Sequence, residues 1–298
     1  MSWKPWIAAL RLRTLPLALS SIGMAGFLAA SDQRIRPSVL IGCILTTVLL
    51  QILSNLANDY GDSVHGADHA GRQGPTRAVQ SGAISRETMK RAVWLLAFLS
   101  LTSGIVLLYV AVGWNARAFV FFVALGLLSI LAAVGYTAGK KPYGYLGLGD
   151  VSVLIFFGLV GVGGTYYLLT QQLDYAVILP AISCGVFAVG VLNINNIRDI
   201  ESDRAAGKYS LPVRIGKTWA AYYQIGLMAV GLGSALMYTW LHWRSPWQLL
   251  FLLTLPLFVP IAQAVIRKPS SELDPYLKRM ALATLAFVIL FGAGLLLR

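Results

Sequence analysis

Nine mostly uninterrupted apolar runs recur along the 298-residue chain, at roughly 15–30, 38–57, 92–112, 118–138, 151–170, 175–197, 218–240, 246–266 and 280–297. Runs of about 20 residues match helices crossing a ~30 Å hydrocarbon layer, whereas membrane strands need only ~10 alternating residues. In lipid, only helices and closed barrels satisfy every backbone group. The runs therefore predict an all-α fold, a polytopic membrane bundle of about nine transmembrane helices. Composition agrees: 57% of residues are hydrophobic and 12% charged, against roughly 25% charged in soluble domains. No stretch reads as a separate soluble unit, so residues 1–298 are expected to form a single integral-membrane domain. Lys4, Arg11 and Arg13 precede the first run, and no small-residue cleavage site follows, which reads as a retained helix rather than a signal peptide.

Orientation follows from the basic residues. With loops assigned alternately to two sides, 19 of the 24 Lys and Arg residues fall on one side, and only Arg34, Arg36, Arg117, Arg244 and Arg298 on the other. The positive-inside rule then puts the N-terminus and the basic loops in the cytoplasm, with the chain in a bacterial cytoplasmic (inner) membrane. Topology and attraction to anionic membrane lipid account for the net charge of +12. A nucleic-acid partner is not expected. Cys43 and Cys184 lie inside apolar runs and read as packing residues, with no disulfide framework.

Of the 12 acidic residues, ten fall on the cytoplasmic side, most of them in two short stretches, NLANDYGDSVHGAD (55–68) and NINNIRDIESD (193–203). Each begins in the last turns of an apolar run and passes into a basic loop. Residues three and four apart share a helix face, so Asn55, Asp59 and Asp62 form one stripe and Asn195, Asp199 and Asp203 another. Asn58/Asp62 matches Asn195/Asp199 in spacing, which hints at a pseudo-repeat of the two halves. An acid inside a membrane helix costs roughly 2.5–3.5 kcal/mol on insertion scales, and at a helix C-terminus it opposes the macrodipole. A divalent cation is the natural compensation. Mg²⁺ prefers oxygen ligands, takes one or two carboxylates and completes its shell with waters and substrate phosphates. Asp59, Asp62, Asp199 and Asp203, with Asn58 as a further oxygen donor, are the candidate metal ligands and the candidate catalytic residues.

Basic and amide residues stand where a bound phosphate or an aromatic acid would meet them: Arg72 and Arg77, Lys140 and Lys141 before Pro142, Arg198 beside Asp199, Lys208, and Asn55, Asn58, Asn195 and Asn196. Arg198 has two readings, toward an acid or toward a diphosphate oxygen. His65 and His69 are four apart, but Gly66 and the lack of soft ligands argue against zinc. Tyr60, Tyr136, Tyr143, Tyr145, Tyr166 and Tyr167 read by default as interface-belt packing, with facing a cationic intermediate as the alternative for some of them.

Two acid clusters, a hard metal, a basic clamp and surrounding lipid suit a substrate with a diphosphate at one end and hydrocarbon at the other, that is, a polyprenyl diphosphate. Its allylic C–O bond breaks once charge on the leaving diphosphate is neutralised, and an electron-rich acceptor then intercepts the cation. The segments NLANDYGD, GPTRAVQSG, YTAGKKPYGYLGLGD and NINNIRDIESDRAAGK resemble the UbiA superfamily of intramembrane aromatic prenyltransferases, over the whole chain, and within it the branch acting on 1,4-dihydroxy-2-naphthoate. The resemblance implies a nine-helix bundle in which Asp59, Asp62, Asp199 and Asp203 bind Mg²⁺-diphosphate. It also implies a decarboxylated product, a demethylmenaquinone. Where the commonest superfamily pattern has a third Asp, this chain has Gly66, and the role of the next acid, Asp68, is left open. Another aromatic acceptor such as 4-hydroxybenzoate is the alternative. A secondary transporter fits less well, since its ion site lies near the bilayer midplane. The Asp-Gly-x-x-Ala-Arg signature of CDP-alcohol phosphotransferases is missing.

Overall fold

The computed structural model describes residues 3–65, 76–113 and 115–297. Among these, nine helices are long and apolar enough to cross a membrane: α1 (Lys4–Ser31), α2 (Pro37–His65), α3 (Arg86–Val112), α4 (Ala116–Gly135), α5 (Gly149–Thr170), α6 (Tyr175–Arg198), α7 (Leu211–Leu241), α8 (Pro246–Arg267) and α9 (Asp274–Leu296). A short helix, Ile200–Ala205, follows α6. The all-helical membrane bundle expected from the apolar runs is what the chain forms.

The differences from the runs lie at the ends. α1 reaches back to Lys4, interrupted where Arg11 takes a left-handed conformation (φ 48°) before one 3₁₀ turn over Leu12–Thr14. α2 continues past the expected end at 57 to His65, so Asn55, Asn58, Asp59 and Asp62 all stand on one unbroken helix. α7 starts at Leu211, ahead of its apolar run, but Gly216 at φ 80° breaks the helical path. Only glycine enters that region without strain.

α6 is the central element. It packs on α5, α7 and α9, while α9 also packs on α1 and α8, and α2 packs on α3, α4 and α1. Ala181, Cys184, Phe187, Val189, Ile194 and Ile197 of α6 are buried, and the Phe187 ring lies 5.0 Å from those of Phe258 and Phe287. Close approach to α5 requires Gly158, where a Cβ would stand 2.6 Å from the Ala181 carbonyl oxygen. The middle of α5, Leu154–Gly164, is wound as a π-helix, a rare form frequently found at functional sites. Outward-facing Ile41, Trp94, Phe98, Phe121 and Leu131 are exposed in the isolated chain, as lipid-facing side chains must be.

Because the spans alternate, the start of α1, the α2–α3, α4–α5 and α6–α7 connections and the start of α9 gather at one end. Direct contacts tie them together: Tyr209 N–H donates to the Tyr145 carbonyl at 3.0 Å, and Arg198 reaches Asp274 across the bundle. This is the end that carries the basic excess. Cysteines at exposed Ser81 and, at the opposite end, exposed Gln172 make the orientation measurable, since Cys43 and Cys184 are buried. Impermeant thiol reagents are expected to label Ser81→Cys only from the cytoplasmic side and Gln172→Cys only from the outside. The reverse pattern overturns the orientation.

Candidate active site

The two acid stripes meet at this gathered end, and all four expected carboxylates are buried: Asp59, Asp62, Asp199 and Asp203 are 1, 3, 2 and 6% exposed. Asp62 is held by the Arg77 guanidinium, which also donates to the Asn58 carbonyl at 2.7 Å, and its other oxygen accepts from the Tyr145 hydroxyl at 2.7 Å. Asp199 receives a fork from Arg198, Nε to Oδ1 at 2.9 Å and Nη2 to Oδ2 at 2.6 Å. Asp203 pairs with Lys208 at 3.0 Å. Burial works against the charge on Lys208, yet Asp203, Tyr136 and Asp62 around it hold its pKa above the ordinary lysine value. Lys208 thus carries positive charge between the two acid stripes and joins them. Three carboxylates therefore have a cation of the chain's own as partner, which is how so many acids persist in a buried site.

Asp59 is different. It is buried, and among the described residues its Oδ1 has no hydrogen-bond partner. Near the end of α6 the buried Asn196 Oδ1 is likewise without one among the described residues. These are oxygen acceptors, one on each acid-bearing helix, of the kind a hard cation takes. Among the described residues no three His, Cys, Asp or Glu side chains stand close enough to chelate an ion by themselves. The set fits Mg²⁺, which takes few protein oxygens and leaves positions for waters and phosphate.

The remaining expected site residues divide. Arg77, Arg198, Lys208 and Asn58 belong to this constellation, and Asn196 stands three residues before Asp199 near the end of α6. Arg198 takes the first of its two readings and holds an acid. Asn195 orients it, accepting from Nη2 at 2.9 Å. Asn55 is turned toward the start of the chain, donating to the Leu10 carbonyl at 2.9 Å and to Thr14 Oγ1 at 3.0 Å, so it anchors α1 on α2. Lys140 and Lys141 are exposed on the loop beyond α4. Arg72, Asp68 and His69 lie outside the described residues. His65 shares its Nδ1 with the Gly61 carbonyl at 2.9 Å and meets Tyr145 edge-on.

Sequence reasoning missed three contributors. Tyr145, read as belt packing, is a ligand to Asp62, and its phenol is pushed up by burial and by the Asp62 charge. Tyr136 lies half-buried near Lys208; desolvation raises its pKa, Lys208 opposes and Asp150, Asp203 and Asp62 reinforce, so it stays a neutral hydroxyl. Asp274 accepts from Arg198 and lies 3.4 Å from Arg13. The first two stand in the quoted segment YTAGKKPYGYLGLGD, where tyrosines flank the lysines; Asp274 had no neighbouring signal.

Beneath the carboxylates lies a cavity of about 360 Å³, bounded by α1 to α5. Asn58 and Tyr136 line it at the charged end, and Cys43 and Leu168 toward the other side. From Asn58 to Cys43 its wall on α2 runs roughly 22 Å at 1.5 Å per residue. The π-wound part of α5 contributes Phe156, Phe157 and Val160.

The fold and site define a membrane-embedded helical bundle with a carboxylate and cation chamber above an apolar shaft. The chain belongs to the UbiA prenyltransferase family, whose model matches residues 19–287. It is 46% identical to the 1,4-dihydroxy-2-naphthoate octaprenyltransferase of Haemophilus influenzae (strain ATCC 51907 / DSM 11121 / KW20 / Rd), with 99% of this chain and 96% of that protein covered. Among solved structures, the apo UbiA homolog from Aeropyrum pernix K1 superposes with a TM-score of 0.67 at 16% identity, covering 96% of this chain and 98% of that one. A UbiA homolog from Archaeoglobus fulgidus, bound to DMAPP and Mg²⁺, gives 0.56 at 15% identity, covering 96% and 99%. At those identities the likeness is one of fold.

The geometry of the α2 end depends on one close approach. A Cβ on Gly61 would lie 2.5 Å from Thr137 Oγ1 and 2.6 Å from the Thr137 backbone, and that hydroxyl donates to Ala57 O and Asn58 Oδ1. Gly61→Ala must push the α4–α5 connection off α2. Overpacking of this kind costs about 1–3 kcal/mol. Thermal unfolding in detergent is expected to show a lowered midpoint, together with loss of activity; an unchanged midpoint and normal turnover contradict this account of the contact.

Proposed function

We propose that the protein transfers a polyprenyl group from polyprenyl diphosphate to 1,4-dihydroxy-2-naphthoate, with Mg²⁺ and with loss of the acceptor's carboxylate, giving a demethylmenaquinone. The observation that carries this reading is the junction of two environments: Asn58, whose carbonyl holds Arg77 against Asp62, also lines the apolar cavity. A diphosphate at that junction meets cations and carboxylates above, and its hydrocarbon chain descends between α2, α4 and α5. The 1,4-dihydroxy-2-naphthoate octaprenyltransferase relative supports the naphthoate acceptor, and the homolog holding DMAPP and Mg²⁺ supports the metal and the diphosphate.

Asp59, Asp62, Asp199 and Asp203, with Asn58 and Asn196, are the residues that would hold the metal. When bound, Mg²⁺ supplies charge neutralisation to the leaving diphosphate. Arg77 and Lys208, already poised on Asp62 and Asp203, add positive charge at the same place, where an apolar surround strengthens each interaction. Arg72, Lys140 and Lys141 are the further candidates to meet diphosphate or the acceptor's carboxylate, as are Arg11 and Arg13 at the start of α1. The neutral hydroxyls of Tyr136 and Tyr145 border the position where the allylic cation forms, and ring faces nearby favour positive charge. The cavity walls exclude water that would otherwise quench the cation. In this reading residues 1–298 form one catalytic domain in the bacterial cytoplasmic membrane, with the site and the N-terminus on the cytoplasmic side.

Asp62→Ala and Asp199→Ala are each expected to lower turnover by ~100-fold or more, the scale of losing one strong transition-state contact. Product formation by folded variants measures it, and near-normal turnover of either removes the shared site. The acceptor separates this reading from its nearest alternative. Purified protein with Mg²⁺ and a long polyprenyl diphosphate is expected to convert the naphthoate to a prenylated, decarboxylated product. A single-ring acid fits a two-ring pocket loosely, and poor positioning costs ~100-fold in rate, so 4-hydroxybenzoate should react at least that much more slowly. Mass spectrometry of the lipid product decides, and equal rates on both acids overturn the acceptor assignment while keeping prenyl transfer.

A further inference from the structure

Asp274 opens α9, far in sequence from both acid stretches, yet it touches the site. Arg198 is 2% exposed and spends its guanidinium on three groups: the fork to Asp199, one bond to Asn195 Oδ1, and a short bond of 2.5 Å from Nη1 to Asp274 Oδ1. The second oxygen of Asp274 faces Arg13 at 3.4 Å. Two consequences follow from this arrangement. With its bonds made on both sides, Arg198 has no freedom to swing away from Asp199. The charge is also altered, because a guanidinium spent on Asp199 alone would offset more of the negative charge a cation needs than one shared with a second carboxylate, and the other partner of Asp274, Arg13, stands at 3.4 Å and is 40% exposed.

We propose that Asp274 is a positioning residue for the metal and diphosphate site: it clamps Arg198 from the α9 side, so that Asp199 is held in one orientation and keeps its attraction for a divalent cation. The inference rests on the prenyltransferase reading and adds to it a residue outside both acid stretches. The plainer role for an Asp in a first helical turn is to complement the helix dipole. That role is also open to neutral residues favoured at helix starts, whereas the clamp requires the charge.

The test uses the full chain purified in detergent and titrated with Mn²⁺ in the presence of inorganic diphosphate, free Mn²⁺ being read by electron paramagnetic resonance. Asp274→Asn and Asp274→Ser are expected to bind Mn²⁺ ~10-fold more weakly or worse, the usual penalty for losing an outer partner of a ligand. Asp274→Glu, which keeps the charge, is expected to recover part of the affinity, and metal-free unfolding midpoints should stay near that of the wild type. Wild-type affinity in a folded neutral variant overturns the proposal. So does failure of both neutral variants to fold, which assigns Asp274 to stability alone, and so does a wild type that binds no Mn²⁺ under these conditions. Product formation from polyprenyl diphosphate and the naphthoate, followed on the same preparations, shows separately whether prenyl transfer itself stands.

Discussion

Four carboxylates buried at one end of a membrane bundle impose the constraint from which the rest of this structure follows. An ion taken out of water without a partner costs several kcal/mol, so every buried Asp must be answered. The answers come from separate parts of the chain: Arg77 from the α2–α3 connection, Tyr145 from the α4–α5 connection, Lys208 from the α6–α7 connection and Arg198 from the end of α6. Between helices in lipid there is little hydrophobic driving force, and polar contacts of this kind carry a larger share of specificity. The acids thereby determine where the loops lie. Asp59, the one whose Oδ1 lacks a partner among the described residues, is the exception that points outward from structure to ligand.

The apolar spans were legible because length and hydropathy are local properties, and so were the acid stripes, because helical spacing puts Asn55, Asp59 and Asp62 on one face wherever the helix ends. The helix ends themselves were not legible. α2 runs on to His65 because its polar residues are satisfied from elsewhere: Asn55 by Leu10 and Thr14, Asn58 by Thr137, Asp62 by Arg77 and Tyr145. Hydropathy registers only that these residues are polar. The same blindness hid Asp274, since its partner Arg198 lies 76 residues away in sequence, and it left Arg198 between two readings that only the opposing carboxylate could decide. Asn193 makes the point inside one motif. Its neighbour Asn195 bonds Arg198 at the site, but Asn193 turns the other way and bonds Ala220 and Gln224 of α7.

The apolar shaft depends on a different property, the asymmetry of α4. Only Ala118 of that helix is buried, because one side of it faces the cavity and the other faces outward. Gly126, Ser129, Ala132 and Ala133 line the cavity together with the larger Phe122, Val123, Leu125 and Ile130, while Phe121, Leu128 and Leu131 stand out toward lipid. α4 is thus a wall one helix thick. At its inner end the Tyr143 hydroxyl bridges the Ala132 carbonyl and Ser152, each at 2.9 Å, and at its outer end the Phe122 ring stacks on Tyr167 at 5.5 Å. The wall is therefore fixed to α5 at both ends, and the space between is set by side-chain size rather than by tight helix packing.

Chamber and shaft meet at Asn58 and Tyr136, and each of the helices α2 and α5 passes there from charged or polar to less polar side chains. On α2 the charged stripe gives way to uncharged residues, Ser54, Gln51, Leu50, Thr47 and Thr46; on α5 Ser152 gives way to Phe156 and Phe157. A molecule lying across this boundary has its charged end among paired ions and its hydrocarbon among side chains that exclude water. Low dielectric below the boundary strengthens the field of the ions above it, so charge separation between a leaving anion and a cation is governed by fixed groups rather than by solvent. In the proposed transfer, the same burial that makes the carboxylates expensive to fold is what makes their charge effective at the reacting bond, and the internal cations reconcile the two demands until a ligand arrives.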